Sequence, residues 1–281
     1  MSELIIVGAG SAFNAKAGHC SALIKSGKAG VLLDCGALVP FALQDAGLID
    51  DVTHVLVSHG HADHIGGIEP LAQIRYFVSL KGYPLMGKPS VPVPALVAPQ
   101  RMIDVLRTEE VRGLGKIQDD FGRPLNATLE TYFDLDVIEA FSTFCPEGAD
   151  DMLGLRYLHA DHVPGDFPAY SFEVIASQPY RSQRRILWSA DTRVPLRVDG
   201  YDLVFHDCQL FQGPNRGGGD VHAYFDDLVA AIPPEQRGKV WLMHFGKNVD
   251  AWREKAAEAG FAGFAQPGQR FDLRTCTPID A

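Results

Sequence analysis

Short apolar runs separated by glycines, prolines and paired aspartates predict an α/β or α+β fold with many short strands and helices between them. The chain is long enough for this: 281 residues with 46% hydrophobic content can bury a large core, expected as one domain over 1–281. Several of the apolar runs also end in histidine or aspartate. The densest such end is Ser58-His59-Gly60-His61-Ala62-Asp63-His64-Ile65-Gly66-Gly67, where three imidazoles and a carboxylate follow a β-branched run.

The elements follow in order. Leu4–Val7 and the turn Gly8-Ala9-Gly10-Ser11 predict a first strand and a glycine turn. A dinucleotide-binding unit would open in the same way, but Phe13 stands where its third glycine belongs, and no acidic residue closes a second strand. Cys20–Ile24 and Val31–Asp34 read as antiparallel strands about a Ser26-Gly27 turn. Val39–Leu48 has helical spacing and stops at Gly47, and Val52–Val57 is a buried strand leading into the histidines. Gly66-Gly67 opens a helix, and Glu69–Leu80 reads as a helix leading into Arg75–Val78. The proline-rich stretch Lys81–Pro94 is a rigid loop. A strand (Ala95–Ala98), a helix (Gln100–Arg112), a polar loop (Gly113–Arg123) and paired strands within Leu129–Phe144 follow, so 81–130 reads as a loop-rich, insertion-like region. Its surroundings hold Tyr76, Phe77, Phe121 and Tyr132, which either stack on a base or pack in the core or at a dimer contact. Further strands are expected at Ala169–Ile175, Ile186–Trp188, Tyr201–Cys208 (ending in polar residues) and Lys239–Met243. Tyr180–Arg185 is a solvated basic turn. Asp226–Ile232 is a helix stopped by Pro233-Pro234, and Ala251–Gly260 is a helix closed by its glycine.

Composition limits the partners. A formal charge of −10 and a pI near 5.4 argue against tight binding to long nucleic acid, where Lys and Arg supply most of the affinity. A small anion held locally by metal ions remains compatible. Five scattered cysteines without a C-x-x-C pair read as reduced thiols. With no basic leader and no long apolar run, a cytoplasmic enzyme without a membrane span is expected.

The histidine stretch has a geometric reading. Past a strand end the chain stays extended, so His59 and His61 point the same way and can share one ion. A turn at Ala62 then redirects Asp63 and His64 to a second position. Imidazole with carboxylate is the donor set of Zn(II), with Mn or Fe also accommodated. Ser58–Gly67 resembles the signature of the metallo-β-lactamase superfamily of metallohydrolases. That resemblance implies an α+β fold, the αββα four-layer sandwich, with two ions at one edge between the sheets.

Carried over residue by residue, the resemblance implies that His59, His61 and His162 bind one ion and that Asp63, His64 and His244 bind the other. Asp191 of Ser189-Ala190-Asp191-Thr192 would bridge them. Within His159-Ala160-Asp161-His162, His162 has the superfamily context and His159 is the alternative. Asp34 would support the histidine loop or simply close a turn. Tyr201–Cys208 and Val221-His222-Ala223 resemble the ribonuclease Z and phosphodiesterase branch. There Asp207 would orient His222 as a general acid, and Asp63 would belong to the same catalytic group. Asp207 stands where that branch has Glu, and Ala223 where it has a small hydroxyl residue.

The implied reaction is hydrolysis by a hydroxide bridging two Zn(II) ions, with a small phosphodiester as substrate: a cyclic nucleotide or short oligonucleotide. A tRNA 3′-processing endonuclease, an arylsulfatase-like or lactonase-like hydrolase, and a metal-containing sensor without turnover are the alternatives. Residues 163–190 leave no room for the tRNA-gripping arm of true ribonuclease Z. The family resemblance also implies a homodimer.

Overall fold

The computed structural model describes residues 2–79, 93–109, 113–118, 123–150, 152–177, 183–210 and 221–279. In chain order, β1 (Glu3–Gly8), β2 (Ser21–Ser26) and β3 (Ala29–Leu33) precede α1 (Val39–Asp45), β4 (His54–Leu56), α2 (Ala62–Ile65) and α3 (Ile68–Gln73). Then come β5 (Ala95–Ala98), α4 (Gln100–Glu109), the hairpin of β6 (Lys116–Gln118) and β7 (Pro124–Asn126), α5 (Leu129–Tyr132) and β8 (Asp134–Val137). The second half holds β9 (Met152–His159), β10 (Tyr170–Ser177), β11 (Arg184–Trp188), β12 (Leu203–Asp207), α6 (Phe225–Ala231), α7 (Pro234–Arg237), β13 (Val240–Met243), α8 (Arg253–Glu258), β14 (Gly263–Phe264), β15 (Arg270–Asp272) and β16 (Thr277–Pro278).

Among the described residues these strands form two large sheets, ordered β16-β15-β1-β2-β3-β4-β5-β8 and β14-β13-β12-β11-β10-β9. Together with the helices this is the αββα arrangement of the metallo-β-lactamase fold. In each sheet an antiparallel part gives way to parallel strands. β1–β2–β3 pair antiparallel, whereas β3–β4 pair parallel with Leu33 opposite Leu56. β11–β12–β13 are parallel too, with Trp188 opposite Phe205 and Asp207 opposite Met243. Parallel strands are covered on both faces, so β3, Val55–Leu56 of β4 and Leu203–Phe205 of β12 read as apolar runs, and these strands are buried throughout. The candidate ligands enter where the strands stop, and in open sheets the carboxyl ends of parallel strands are where ligands bind.

The two sheets are joined through the core. Tyr157 of β9 is fully buried; its hydroxyl donates to the Val97 carbonyl of β5 at 2.7 Å and accepts from the Val57 amide at 3.0 Å. Phe205 of β12 meets Phe271 of β15 edge-on, centroids 5.0 Å apart. Such aromatic pairs add about 1 kcal/mol to the burial of their area.

The structure departs from the sequence expectations in several places. Leu129–Phe144 is not a pair of strands. Thr128 and Thr131 form a reciprocal capping box that starts α5, and β8 then pairs parallel with β5. The polar loop 113–123 contains β6, paired with β7. Of the basic turn expected over Tyr180–Arg185, residues 180–182 lie outside the described residues, and Arg184 and Arg185 are not in a turn. They lie in β11, with Arg184 on Asp202 and Arg185 on the buried Glu173. The helix begun at Ile68 runs on as a wide turn over Ile74–Ser79. Of the aromatic candidates, Tyr132 is buried and Tyr76 packs on it at 5.3 Å, with Phe77 at 4.9 Å from Tyr76. Phe121 lies outside the described residues, as do 81–92, 110–112 and 119–122 of the region read as insertion-like. That region nevertheless supplies β5 to the first sheet. No helix among the described residues is long and apolar enough to cross a membrane.

Candidate metal centre

Three of the strand ends that build the site turn through left-handed backbone at non-glycine residues: Asp34 after β3 (φ 61°), Ala190 after β11 (φ 48°) and His244 after β13 (φ 58°). Each such residue costs on the order of 1 kcal/mol, and such positions concentrate at functional sites. A strand that simply continued would alternate its side chains between the faces. The left-handed turn instead redirects the next side chain, so Asp191 and His244 come off their strands into one space. The loop after β3 comes close to the histidine loop because residue 36 is glycine. A Cβ there would stand 1.9 Å from the Asp63 carbonyl. The Cys35 amide donates to the His64 carbonyl at 2.8 Å, and the Gly67 amide donates to the Cys35 carbonyl at 2.8 Å. The turn expected at Ala62 is helical and carries Asp63 and His64 to the second position. They occupy the single helical turn α2, whose Ile65 amide donates to the His61 carbonyl.

The first cluster is His59, His61, His162 and Asp191. His61 Nδ1 lies 3.1 Å from both His59 Nε2 and His162 Nε2. The far nitrogens of two rings are already used. His162 Nδ1 donates to the Val221 carbonyl at 2.6 Å. His59 Nδ1 is 2.9 Å from Ser58 Oγ, which itself donates to Asp34. With the protons placed there by the partners, both Nε2 atoms present lone pairs toward His61. Burial is the chief cause that pushes the pKa of His59, His61 and His162 below the ordinary histidine value, so these are neutral imidazoles.

The second cluster is Asp63, His64, Asp191 and His244. His244 Nε2 stands 3.1 Å from Asp63 Oδ2 and 3.4 Å from Asp191 Oδ1. His64 Nε2 stands 3.2 Å from Asp191 Oδ1. His64 Nδ1 donates to Asp34 Oδ2 at 2.8 Å, and Asp34 Oδ1 accepts the Ser58 amide at 2.6 Å. Asp34 thus holds the histidine loop from behind. Burial opposes charge on His64 and His244, but the surrounding carboxylates outweigh it. Asp191 and Asp34 raise His64 well above the ordinary value. Asp191, Asp207 and Asp63 push His244 up to about 10.

Asp191 belongs to both clusters, with one oxygen for each. Its Oδ2 faces His59 and His162 at 3.7 Å, and its Oδ1 faces His64 and His244. Beside the second cluster, Asp207 and His222 meet as the sequence suggested, Nδ1 to Oδ2 at 2.9 Å. Asp207 is fully buried and is itself held by the Thr192 amide at 3.0 Å. His222 stacks on His244 at 4.7 Å and keeps 20% of its side chain exposed. Burial lowers its pKa, but the Asp207 carboxylate prevails and the net shift is upward.

The donor set fits two divalent cations. Two atoms aimed into the second cluster, His64 Nε2 and Asp191 Oδ1, are buried without a hydrogen-bond partner, and an unpaired buried polar atom costs about 1–3 kcal/mol. His64 Nε2 and Asp191 Oδ1 approach to 3.2 Å without hydrogen-bond alignment, as two ligands of one ion do. His159, the alternative to His162, is elsewhere: it is exposed at the end of β9, packed on Tyr170 and Phe141 at 5.3 and 5.4 Å. The sequence reading missed Phe167. Its ring lies 5.0 Å from that of His61, and the only local signal was its place in the short loop after His162.

Comparison with known proteins agrees with this architecture. The family model of the Anti-Pycsar protein Apyc1 matches residues 2–271. The chain belongs to the Anti-Pycsar protein Apyc1 family. Members of the family similar to it include one from Bacillus phage 010DV004, 31% identical over 278 residues, covering 96% of this chain and 98% of that protein. Another, from Paenibacillus harenae, is 32% identical over 277 residues, with 95% and 98% covered. Among solved structures, the fold is that of the metallo-beta-lactamase fold protein YhfI from Bacillus subtilis (TM-score 0.64, 16% identity, 96% and 98% covered). The short form of human tRNase Z shares it as well (TM-score 0.62, 15% identity, 96% and 99% covered).

Proposed function

We propose that this member of the Apyc1 family is a two-metal hydrolase of a small phosphodiester, a cyclic nucleotide first. His59, His61 and His162 would hold one ion and Asp63, His64 and His244 the other, with Asp191 the residue common to both sets. Zn(II) suits the mixed imidazole and carboxylate donors. When bound, the pair of ions supplies Lewis acidity, acidifying water and withdrawing charge from phosphodiester oxygens.

The observation that carries the phosphodiester reading is the Asp207–His222 pair, 2.9 Å apart at the rim of the second cluster. Phosphodiester cleavage expels an alkoxide, which gains from a proton in the transition state. His222 keeps Nδ1 on Asp207, which leaves Nε2 as the position from which a proton is handed over. Asp207 orients the ring and favours its protonated form. The net charge of −10 and the short 163–190 segment favour a small substrate over tRNA.

The test is a substrate panel with a leaving-group control. Cyclic nucleotides, dinucleotides, pre-tRNA, a sulfate ester and a lactone are offered to the metal-loaded protein and to His222→Ala. The reading expects turnover of the small phosphodiesters and a loss in His222→Ala that is much smaller for bis-p-nitrophenyl phosphate, whose leaving group needs no proton. Equal losses on both substrates would remove the general acid. Turnover confined to the sulfate ester or lactone would remove the phosphodiester reading.

A further inference from the structure

An aromatic ring that holds no ion stands against the first cluster. Phe167 lies in the loop between β9 and β10, half-buried. Its ring is 5.0 Å from that of His61 at an interplanar angle of 34°, 5.9 Å from His59 and 6.1 Å from His162. These three histidines are its ring partners among the described residues.

The local sequence holds the ring in place. Pro168 restricts Phe167 to extended backbone. Ala169 bridges to His59, and the Tyr170 amide donates to the Ser58 carbonyl at 3.0 Å. On the other flank, Arg101 Nη2 donates to the Asp166 carbonyl at 3.1 Å. An apolar ring left half-exposed at this spot adds little to the core. Its position is nonetheless set from both sides, which is the preorganisation a binding surface needs.

We propose that Phe167 is the wall on which the nucleobase of the substrate stacks. This rests on the phosphodiester reading above. A cyclic phosphate held by cations in the two clusters would leave its nucleoside to project away from them, and Phe167 is an aromatic surface on the His61 side of the first cluster. Every base offers a π face, so such a wall favours nucleotides over base-less phosphodiesters without choosing strongly among bases. Phe167 is then a specificity residue of this chain.

The experiment compares a 3′,5′-cyclic nucleotide with the corresponding ribose cyclic phosphate lacking a base, using metal-loaded wild type, Phe167→Leu and Phe167→Trp. The expected result is that Phe167→Leu lowers the ratio of kcat/KM for the base-bearing over the base-less substrate about tenfold, chiefly through KM. Phe167→Trp should keep or raise that ratio. A Phe167→Leu variant that loses the same factor on both substrates, or that loses metal, assigns the ring to packing of the histidines and overturns the proposal. If the wild type hydrolyses no phosphodiester, the function reading fails by itself. Calorimetric binding of the cyclic nucleotide then decides the wall: an unchanged Kd in Phe167→Leu, or no binding to wild type, overturns it.

Discussion

The two clusters share Asp191 but are built on opposite electrostatic plans. The first is three imidazoles, two of which, His162 and His59, rest their spare nitrogens on a carbonyl and a hydroxyl, those of Val221 and Ser58. The second sets His64 and His244 among Asp63, Asp34, Asp191 and Asp207. His59 and His162 are as deeply buried as His64 and His244, yet burial holds their pKa below the ordinary value, whereas in the second cluster the carboxylates overcome it. The number of carboxylates within hydrogen-bond reach, rather than depth, decides which state a buried imidazole takes. An ion in the first cluster would keep more of its positive charge, and one in the second would be more fully neutralised. His222 and Asp207 adjoin the second.

The largest expected effect breaks both clusters at once. Asp191→Ala should abolish turnover and reduce bound metal well below about two ions per chain, read by metal analysis of the purified variant. His222→Ala should spare metal content and cost about 10²–10⁴-fold in kcat on an alkoxide-leaving phosphodiester. Asp34→Asn should weaken the second cluster more than the first, because His64 loses the carboxylate that fixes its Nδ1 proton directly, whereas His59 reaches Asp34 only through Ser58 Oγ. Metal affinity there should fall about 10–100-fold, seen as one weakened site in a chelator titration while the other is retained.

The smallest effect is one of protons. Near pH 7.5 the unloaded first cluster is already deprotonated, because its histidine pKa values are lowered. His64 and His244 are raised, His244 to about 10, so each carries a proton that the ion must displace. Loading the second cluster should release up to about two protons and loading the first close to none. The difference should shrink as the pH is raised toward 10. Calorimetry in buffers of different ionisation enthalpy measures it, and equal release at both sites would erase the contrast.

Away from the centre, Tyr157→Phe tests the bond between the sheets. It strips the buried Val57 amide and Val97 carbonyl of a shared partner and should destabilise the chain by about 1–3 kcal/mol in denaturant melts, with metal content kept.

Much of the centre was legible in the sequence because its residues stand at strand ends. His59, Asp191, Asp207 and His244 each follow an apolar run that a period reading can find, and their polarity is conspicuous against it. β9 was not marked as a strand, since Met152–His159 mixes Arg and Gly with its apolar residues. Its identity comes from pairing along all of β10. Nor was α5 visible, because a threonine capping box carries less weight in sequence than the β-branched and aromatic residues around it. Phe167 looked like any loop aromatic.

The sequence by itself determined which donors exist and that His59 and His61 share a side, since two residues on an extended strand end point alike. It also determined the burial of β3, β4 and β12, whose apolar runs admit no solvent face. Only the tertiary structure decided the rest. That His162 rather than His159 enters the first cluster depends on how the loop after β9 folds back to the Val221 carbonyl. That Asp191 faces each cluster with a different oxygen depends on two sheets meeting at their carboxyl ends, with a left-handed Ala190 between strand and ligand. Contacts between residues far apart in the chain follow from packing, and no local spacing encodes them.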